Sequence, residues 1–180
     1  MEFIKNYKLK EFYKQSTELQ EEYINLLRFS LPIPTAKVLW DLSLKDVDFI
    51  KSSFGSGDDS DMFEIISRVQ GVPVEDVLNI KIVEFFGLIA DVKKQIEEIH
   101  KVELTALTPS GANFKWEAVN GSEKMSQFGI YNTLEQLSGG DITKYAEIME
   151  MEYSEVFTVL YMKKTRLELD EEMSKITSKR

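Results

Sequence analysis

The chain has 180 residues, no cysteine, and 31 acidic residues against 22 basic ones, which gives a formal net charge of −9. Without cysteine, disulfides, thiolate metal ligands and cysteine nucleophiles are excluded. Nucleic acid is not expected as a direct partner, because binding to phosphate depends largely on clustered Lys and Arg, and here the basic residues are scattered. No apolar run approaches the ~20 residues that span a bilayer, so no membrane partner is expected either.

An amphipathic helix is predicted from about Leu9 to Phe29, because apolar side chains recur there at helical spacing with Lys, Glu and Gln between them. Pro32 and Pro34 end this segment, since neither can continue a helix. Charged residues dominate the end of the chain. We therefore expect an N-terminal amphipathic helix and proline-containing linker over residues 1–34, a main α+β domain over 35–165, and a charged C-terminal tail over 166–180.

Helical periodicity predicts several more helices within the main domain. Gly71 suits the end of one helix, and Pro73 suits the first position of the next. The longest helix has a broad apolar face, with Lys and Glu on the opposite side. The predicted ranges are about 44–52, 62–69, 80–100 and 142–149, and one more helix begins near Ser154. Residues 130–137 are expected to be a short helical or irregular piece.

A three-stranded β-meander is predicted at about residues 101–128. Pro109-Ser110-Gly111 fits a three-residue hairpin loop, and Asn120-Gly121 is a strong two-residue hairpin signal. In the resulting register, Glu117 opposes Lys124, and one apolar row crosses the three strands. That row consists of Leu104, Trp116 and Met125. The expected fold class is therefore α+β and predominantly helical, with helical blocks flanking a small antiparallel meander.

The sequence also contains a faint internal echo. Gly57-Asp58 followed by Glu64-Ile65 has the same spacing as Gly140-Asp141 followed by Glu147-Ile148. Two helices that are capped in the same way explain these four matches more simply than a duplication does.

The sequence offers little that resembles a catalytic centre. His100 is the single histidine, and its place near the predicted end of a helix favours interaction with the helix dipole over catalysis. The chain has no Gly-x-Ser-x-Gly elbow, no phosphate-binding loop and no His-Glu pair at zinc-ligand spacing. We therefore expect no catalytic residues, no metal ligands and no cofactor.

The order of the predicted elements resembles a known family. Residues Met62 to Val77, which read MFEIISRVQGVPVEDV, lead into a long helix and then into the predicted hairpins. Tyr145-Ala146-Glu147-Ile148-Met149 follows, and then a helix that reaches Tyr161-Met162-Lys163-Lys164. Over roughly residues 40–170 this pattern resembles tail assembly chaperones and related virion proteins of tailed bacteriophages. The N-terminal helix has no counterpart in the resemblance.

The resemblance implies a non-enzymatic, chaperone-like protein that binds other proteins during phage virion or tail assembly. Its partners are then other phage structural proteins, with homo-oligomerisation as a further possibility, and it is found in the host cytoplasm during assembly or in the virion. Two alternatives remain open: a permanent structural component of the phage particle, and a small enzyme or inhibitor of a host protein.

Apolar residues of the first and last helices are the candidates for a partner-binding surface, because amphipathic helices bind partner helices or grooves through such faces. The candidate partner-binding residues are Leu9, Phe12, Tyr13, Leu19, Tyr23, Phe157, Leu160 and Tyr161.

Overall fold

The computed structural model describes residues 7–54, 59–108 and 114–177, and every extended regular element within these ranges is helical. Two single 3₁₀ turns, Leu39–Asp41 and Ile142–Lys144, accompany the α-helices. The helices are α1 (Leu9–Phe12), α2 (Thr17–Leu27), α3 (Leu44–Ser53), α4 (Asp59–Gln70), α5 (Val74–Val77), α6 (Ile82–Leu107), α7 (Phe114–Ala118), α8 (Gly121–Ser126), α9 (Ile130–Ser138), α10 (Tyr145–Met149) and α11 (Tyr153–Thr177).

The predicted meander at residues 101–128 is wrong, and with it the α+β fold class, because the described residues contain no β-strand. Residues 101–107 instead continue α6, where Glu103, Leu104 and Ala106 are good helix formers. Residues 114–126 form α7 and α8. The first predicted hairpin loop, Pro109-Ser110-Gly111, lies outside the described residues.

The Asn120-Gly121 pair makes a corner between two helices and not a hairpin. Asn120 adopts the left-handed conformation at φ 54° directly before α8, so the pair meets the backbone requirement that also suits a hairpin turn. Gly121 is buried beneath Trp116, whose ring carbons lie 2.3 Å from the place that a Cβ would take. The predicted partner of Lys124, Glu117, accepts a hydrogen bond from the Ser122 hydroxyl at 2.9 Å.

The predicted first helix, Leu9 to Phe29, is divided into α1 and α2. Ser16 has an extended backbone at the start of α2, a position that serine favours. The Gln20 amide then donates to the carbonyl oxygens of Tyr13 and Gln15, at 3.3 Å and 2.8 Å, which satisfies backbone groups at the break.

The chain divides into two compact units. Unit 1 comprises residues 1–42 and 46–99, and unit 2 comprises residues 43–45 and 100–180. The predicted divisions near residues 34 and 165 stay predictions. His100 lies inside α6 and is exposed, so it is not the helix-end residue that the sequence indicated.

Unit 1 has an aliphatic core with an aromatic chain along one side. The Phe63 ring meets the rings of Tyr13 and Phe85 at centroid distances of 5.6 Å and 5.8 Å, and Phe85 meets Phe86 at 5.7 Å. Such pairs contribute about 0.5–1.5 kcal/mol each beyond the burial of their area. The fully buried core residues of this unit include Leu9, Leu39, Val47, Ile50, Ile65, Ile66, Val69, Val77, Ile82, Val92 and Ile99.

Residues 30–38, which we call the strap, cross α6 at a glycine. The Ile33 amide donates to the Gly87 carbonyl at 2.9 Å, and the Ile33 side chain lies over the glycine. A Cβ on Gly87 would lie 2.5 Å from Ile33 Cδ1. Glycine at residue 87 therefore allows two backbone segments to approach closely. It is not needed for an unusual backbone conformation.

Two polar side chains of α6 hold the strap beyond this crossing. The Asp91 carboxylate accepts hydrogen bonds from the Thr35 amide at 3.2 Å and the Thr35 hydroxyl at 3.3 Å. The Gln95 amide group donates to Asp91 at 2.7 Å, and its oxygen accepts from the Leu39 amide at 2.8 Å. Asp91 and Gln95 are four residues apart, so they share one face of the helix.

The order of helices in unit 1 recurs in unit 2. A helix ends at a left-handed glycine, a short helix follows, and a single antiparallel bridge residue then precedes a long helix. The bridges are Lys8 with Lys81 in unit 1 and Ser43 with Glu152 in unit 2. The corresponding helices are α4, α5 and α6 in unit 1 and α9, α10 and α11 in unit 2.

The hydrogen bonds at these landmarks correspond as well. Gly71 and Gly139 have φ values of 65° and 67°, and the residue after each glycine donates to a carbonyl five positions earlier. This is the pattern of a Schellman helix end. The repetition aligns Ile82 with Tyr153, which is a different register from the echo in the sequence, and Gly57-Asp58 lies outside the described residues.

We expect Gly87→Ala to lower the free energy of unfolding by roughly 1–2 kcal/mol, because the new methyl group meets Ile33. In a chain that also carries Ile33→Ala, the new methyl group has room. Alanine is preferred over glycine in a helix by about 1 kcal/mol, so Gly87→Ala should be neutral or stabilising in that chain. Urea unfolding of the four chains measures this cycle. An equal effect of Gly87→Ala in both backgrounds would contradict the crossing.

Candidate protein-binding surface

The start of α11 is anchored in the core of unit 2. Tyr153 and Val156, in its first turn, are buried, together with Leu134 of α9 and Ile148 of α10. The Tyr153 hydroxyl donates to the Glu103 carboxylate. Burial, followed by this hydrogen bond and the negative charge of Glu103, raises the pKa of Tyr153 above its ordinary value. The anchored end therefore positions the rest of the helix.

The remainder of α11 carries apolar side chains on its surface. These residues are distributed around the helix and do not form a single stripe, and each is at least 37% exposed. The α11 apolar surface, as we use the term, consists of Val159, Tyr161, Met162, Leu167, Leu169, Met173 and Ile176. Single exposed apolar residues are ordinary, and the number of them on this helix makes it the candidate for a site of interaction.

A groove lies along α11 next to its anchored end. Its cavity volume is about 430 Å³, and it is lined by Met151, Ser154, Glu155, Thr158 and Val159. The Thr158 hydroxyl donates to the Ser154 backbone carbonyl at 2.8 Å, so this hydroxyl is engaged within the helix. Among the described residues of the lining, Glu155 is the one titratable side chain. The groove is thus suited to bind an apolar group, and the Glu155 carboxylate of the chain lies at the edge of the groove.

The structure distributes the predicted partner-binding residues between the two units. Leu9 and Phe12 lie in the core of unit 1, with exposures of 0% and 2%, so neither presents a surface to a partner. Tyr13 is half-buried and packs edge-on against Phe12 and Phe63. Leu19 and Tyr23 are half-buried on α2.

The three predicted residues of α11 belong to unit 2. Phe157 and Leu160 are half-buried, and Tyr161 is exposed. The rings of Phe157 and Tyr161 stack at a centroid distance of 6.3 Å and an angle of 15°. Of the eight predicted residues, Tyr161 is therefore the one that belongs to the α11 apolar surface.

Sequence reasoning missed the groove. Ser154 and Thr158 look like ordinary polar positions on a helix, and Val159 looks like a core residue. The signal that was present is the alignment of α11 with α6 at a displacement of 71 residues, which places Thr158 where Gly87 lies. The echo between Gly57-Asp58 and Gly140-Asp141 has a different displacement, so it does not reveal this alignment.

Neither a metal site nor a membrane-spanning helix is found in the described residues. No group of three or more His, Asp or Glu side chains there is placed to hold a metal ion. No helix there is both long enough and apolar enough to cross a membrane.

Comparison with known proteins gives no family for the chain. No protein-family model, no curated protein and no solved structure matches it. The surface and the groove are therefore interpreted from their own chemistry.

Replacing Tyr153 by phenylalanine should lower the free energy of unfolding by about 1–2 kcal/mol at neutral pH, since it removes a hydrogen bond to a carboxylate. The raised pKa means that the folded state holds the phenolic proton more firmly than the unfolded state does. The contribution is therefore complete below the unfolded pKa of about 10 and declines as the pH rises above it.

Urea unfolding of both chains between pH 8 and pH 11 measures this difference. The advantage of the natural chain should shrink above pH 10. Tyr145→Phe is the matched control, because the Tyr145 hydroxyl makes no hydrogen bond among the described residues. A constant advantage across this range would contradict the raised pKa.

Proposed function

We propose that the chain is a non-enzymatic protein-binding factor that acts in a chaperone-like manner during phage virion or tail assembly. The observation that carries the binding role is the α11 apolar surface. A helix that is anchored at one end and carries exposed apolar side chains among charged ones presents area that a partner can remove from water, at about 25 cal/mol per Å² of apolar surface buried.

Charged side chains on the same helix keep this surface compatible with water. Lys164 and Glu168 form an ion pair at 3.3 Å, and Arg166 lies between them and is exposed. Interfaces of transient complexes combine apolar anchors with such a polar rim. This arrangement supports a partner that is bound and released.

The phage setting of the proposal is supported by the resemblance in the order of elements. Its helical parts correspond to α4, α5, α6, α10 and α11. Its hairpin part does not correspond to the described helices α7 and α8. The binding role depends on the α11 apolar surface and is independent of this resemblance.

The second candidate function is that of a permanent structural component of the particle. In an assembled virion, the α11 apolar surface would then be buried permanently. We do not propose an enzyme or an inhibitor with an enzyme-like cleft. General acid-base chemistry needs positioned titratable groups, and in the part of the chain that the structure describes the groove provides Glu155 alone.

The test uses the phage structural proteins that are encoded beside this chain. Each is co-expressed with the full chain, and the soluble fraction and the co-purified complex are measured. We expect at least one of them to be kept soluble and to co-purify at a fixed ratio. The variant Tyr161→Glu with Leu167→Glu should lose this effect, because it places two carboxylates on the α11 apolar surface.

Thr165→Glu with Ser174→Glu is the matched control, since it adds the same charge at two exposed polar positions of the same helix. Binding of none of the structural proteins, or equal loss in both variants, would overturn the proposal. Mass spectrometry of purified particles separates the two candidates: a chaperone is absent from mature particles, and a structural component is present at fixed stoichiometry.

A further inference from the structure

The groove on α11 corresponds to a position on α6 that is already occupied. Both long helices begin directly after a bridge residue, at Ile82 and at Tyr153, a displacement of 71 residues. At this displacement, four pairs of residues in the two helices are identical. They are Glu84 and Glu155, Phe86 and Phe157, Lys93 and Lys164, and Glu97 and Glu168.

Each residue that lines the groove has a counterpart around the strap crossing. Thr158 corresponds to Gly87, and Val159 corresponds to Leu88. The remaining counterparts of the lining are Ile80, Val83 and Glu84. In unit 1, the Ile33 side chain lies on Gly87, and the Ile33 amide donates to the Gly87 carbonyl.

The exposure of the two helices differs at this position. Leu88 is 2% exposed, and Gly87 is buried. Val159 is 37% exposed, and Thr158 is exposed. The described residues thus cover the position on α6 and leave the corresponding position on α11 open.

The chemistry of the open position differs from that of the covered one in two ways. Thr158 fills part of the space that Gly87 leaves to Ile33, so an occupant rests beside the threonine, against Met151 and Val159, and methionine adapts well to such contacts. Met162 and Arg166 replace Asp91 and Gln95, the side chains that hold the strap. An occupant therefore lacks these hydrogen bonds, which favours reversible binding.

The charge around the groove selects among possible occupants. Residues 145–162 contain four glutamates and no basic residue, and Lys45 forms an ion pair with one of the four, Glu150, at 3.3 Å. Of these, Glu152 and Glu155 are exposed next to the groove. The strap itself runs along α6 in the direction of the helix, since Ile33, Thr35 and Leu39 meet Gly87, Asp91 and Gln95 in turn. The segment before Ile33 contains Arg28. If an occupant runs along α11 in the same direction, a basic residue that precedes its aliphatic residue would face Glu152 and Glu155.

We infer that the groove on α11 binds an extended segment of a partner protein in which an aliphatic residue stands between two prolines and a basic residue precedes it. The proline-bracketed backbone is already extended and loses little conformational entropy on binding. The aliphatic side chain packs against Met151 and Val159 and rests beside Thr158, because the threonine occupies the space that Gly87 leaves to Ile33. This inference deepens the proposed function, on which it rests, by giving the chemistry of one partner segment.

The test titrates the full chain with a synthetic peptide of residues 28–38, RFSLPIPTAKV, while methyl resonances of the chain are observed. We expect saturable binding at one site with shifts at the Val159 methyl groups. Thr158→Arg in the chain should weaken binding at least tenfold. Thr165→Arg should change it less than twofold, and this control is closely matched, because both threonine hydroxyls donate to a carbonyl four residues earlier on α11.

Two altered peptides test the stated chemistry. Ile33→Asp in the peptide should abolish binding, and Arg28→Glu should weaken it several-fold, with a smaller difference at high salt. The inference is overturned if the peptide does not bind at millimolar concentration, if Thr158→Arg leaves binding unchanged, or if the shifts appear at Leu88. It is also overturned if sedimentation shows self-association of the chain that Thr158→Arg abolishes, because the occupant is then a second copy.

The two proposals fail separately. If the peptide does not bind but the structural proteins are still kept soluble, the assignment of the groove falls and the proposed function stands. If the peptide binds but no structural protein is kept soluble or co-purifies, the groove stands as a peptide site and the assembly role falls.

Discussion

The close approach of Ile33 to Gly87 is the constraint on which unit 1 depends. It places the strap directly on α6, where a side chain at residue 87 would hold it away. Asp91 and Gln95 can then reach the backbone of the strap, which satisfies polar groups that would otherwise lie unpaired against an apolar core. Leu88, the next residue of α6, is 2% exposed, and the strap that crosses beside it has no regular secondary structure.

Unit 2 uses the same order of helices without this closure. Its core is completed by the first turn of α11, where Tyr153 is held by Glu103, and the next turn bears the groove. The comparison with unit 1 suggests the proposed occupant, which must rest beside Thr158 because that side chain fills the space that Gly87 leaves to Ile33. A stable intramolecular contact in one unit and a vacant groove in the other suit a protein that keeps its own fold while it binds another chain.

The sequence predicted most of the helices, since apolar periodicity and left-handed glycines such as Gly71 act locally. It failed at residues 101–128, because Asn120 indicates only that the backbone adopts a positive φ, and a helix corner satisfies that need as well as a hairpin does. It could not reveal the groove, which depends on whether a distant segment covers one face of a helix. Gly87 carried that information, but a glycine inside a helical pattern has many explanations.

Methyl NMR with a soluble paramagnetic agent tests the central contrast between the two units in one spectrum. The agent broadens the resonances of methyl groups that solvent reaches. We predict strong broadening for Val159, which is 37% exposed, and almost none for Leu88, which is 2% exposed. Equal protection of both residues would mean that the chain covers its own groove, and equal broadening would mean that the strap does not close unit 1; either result would contradict the account.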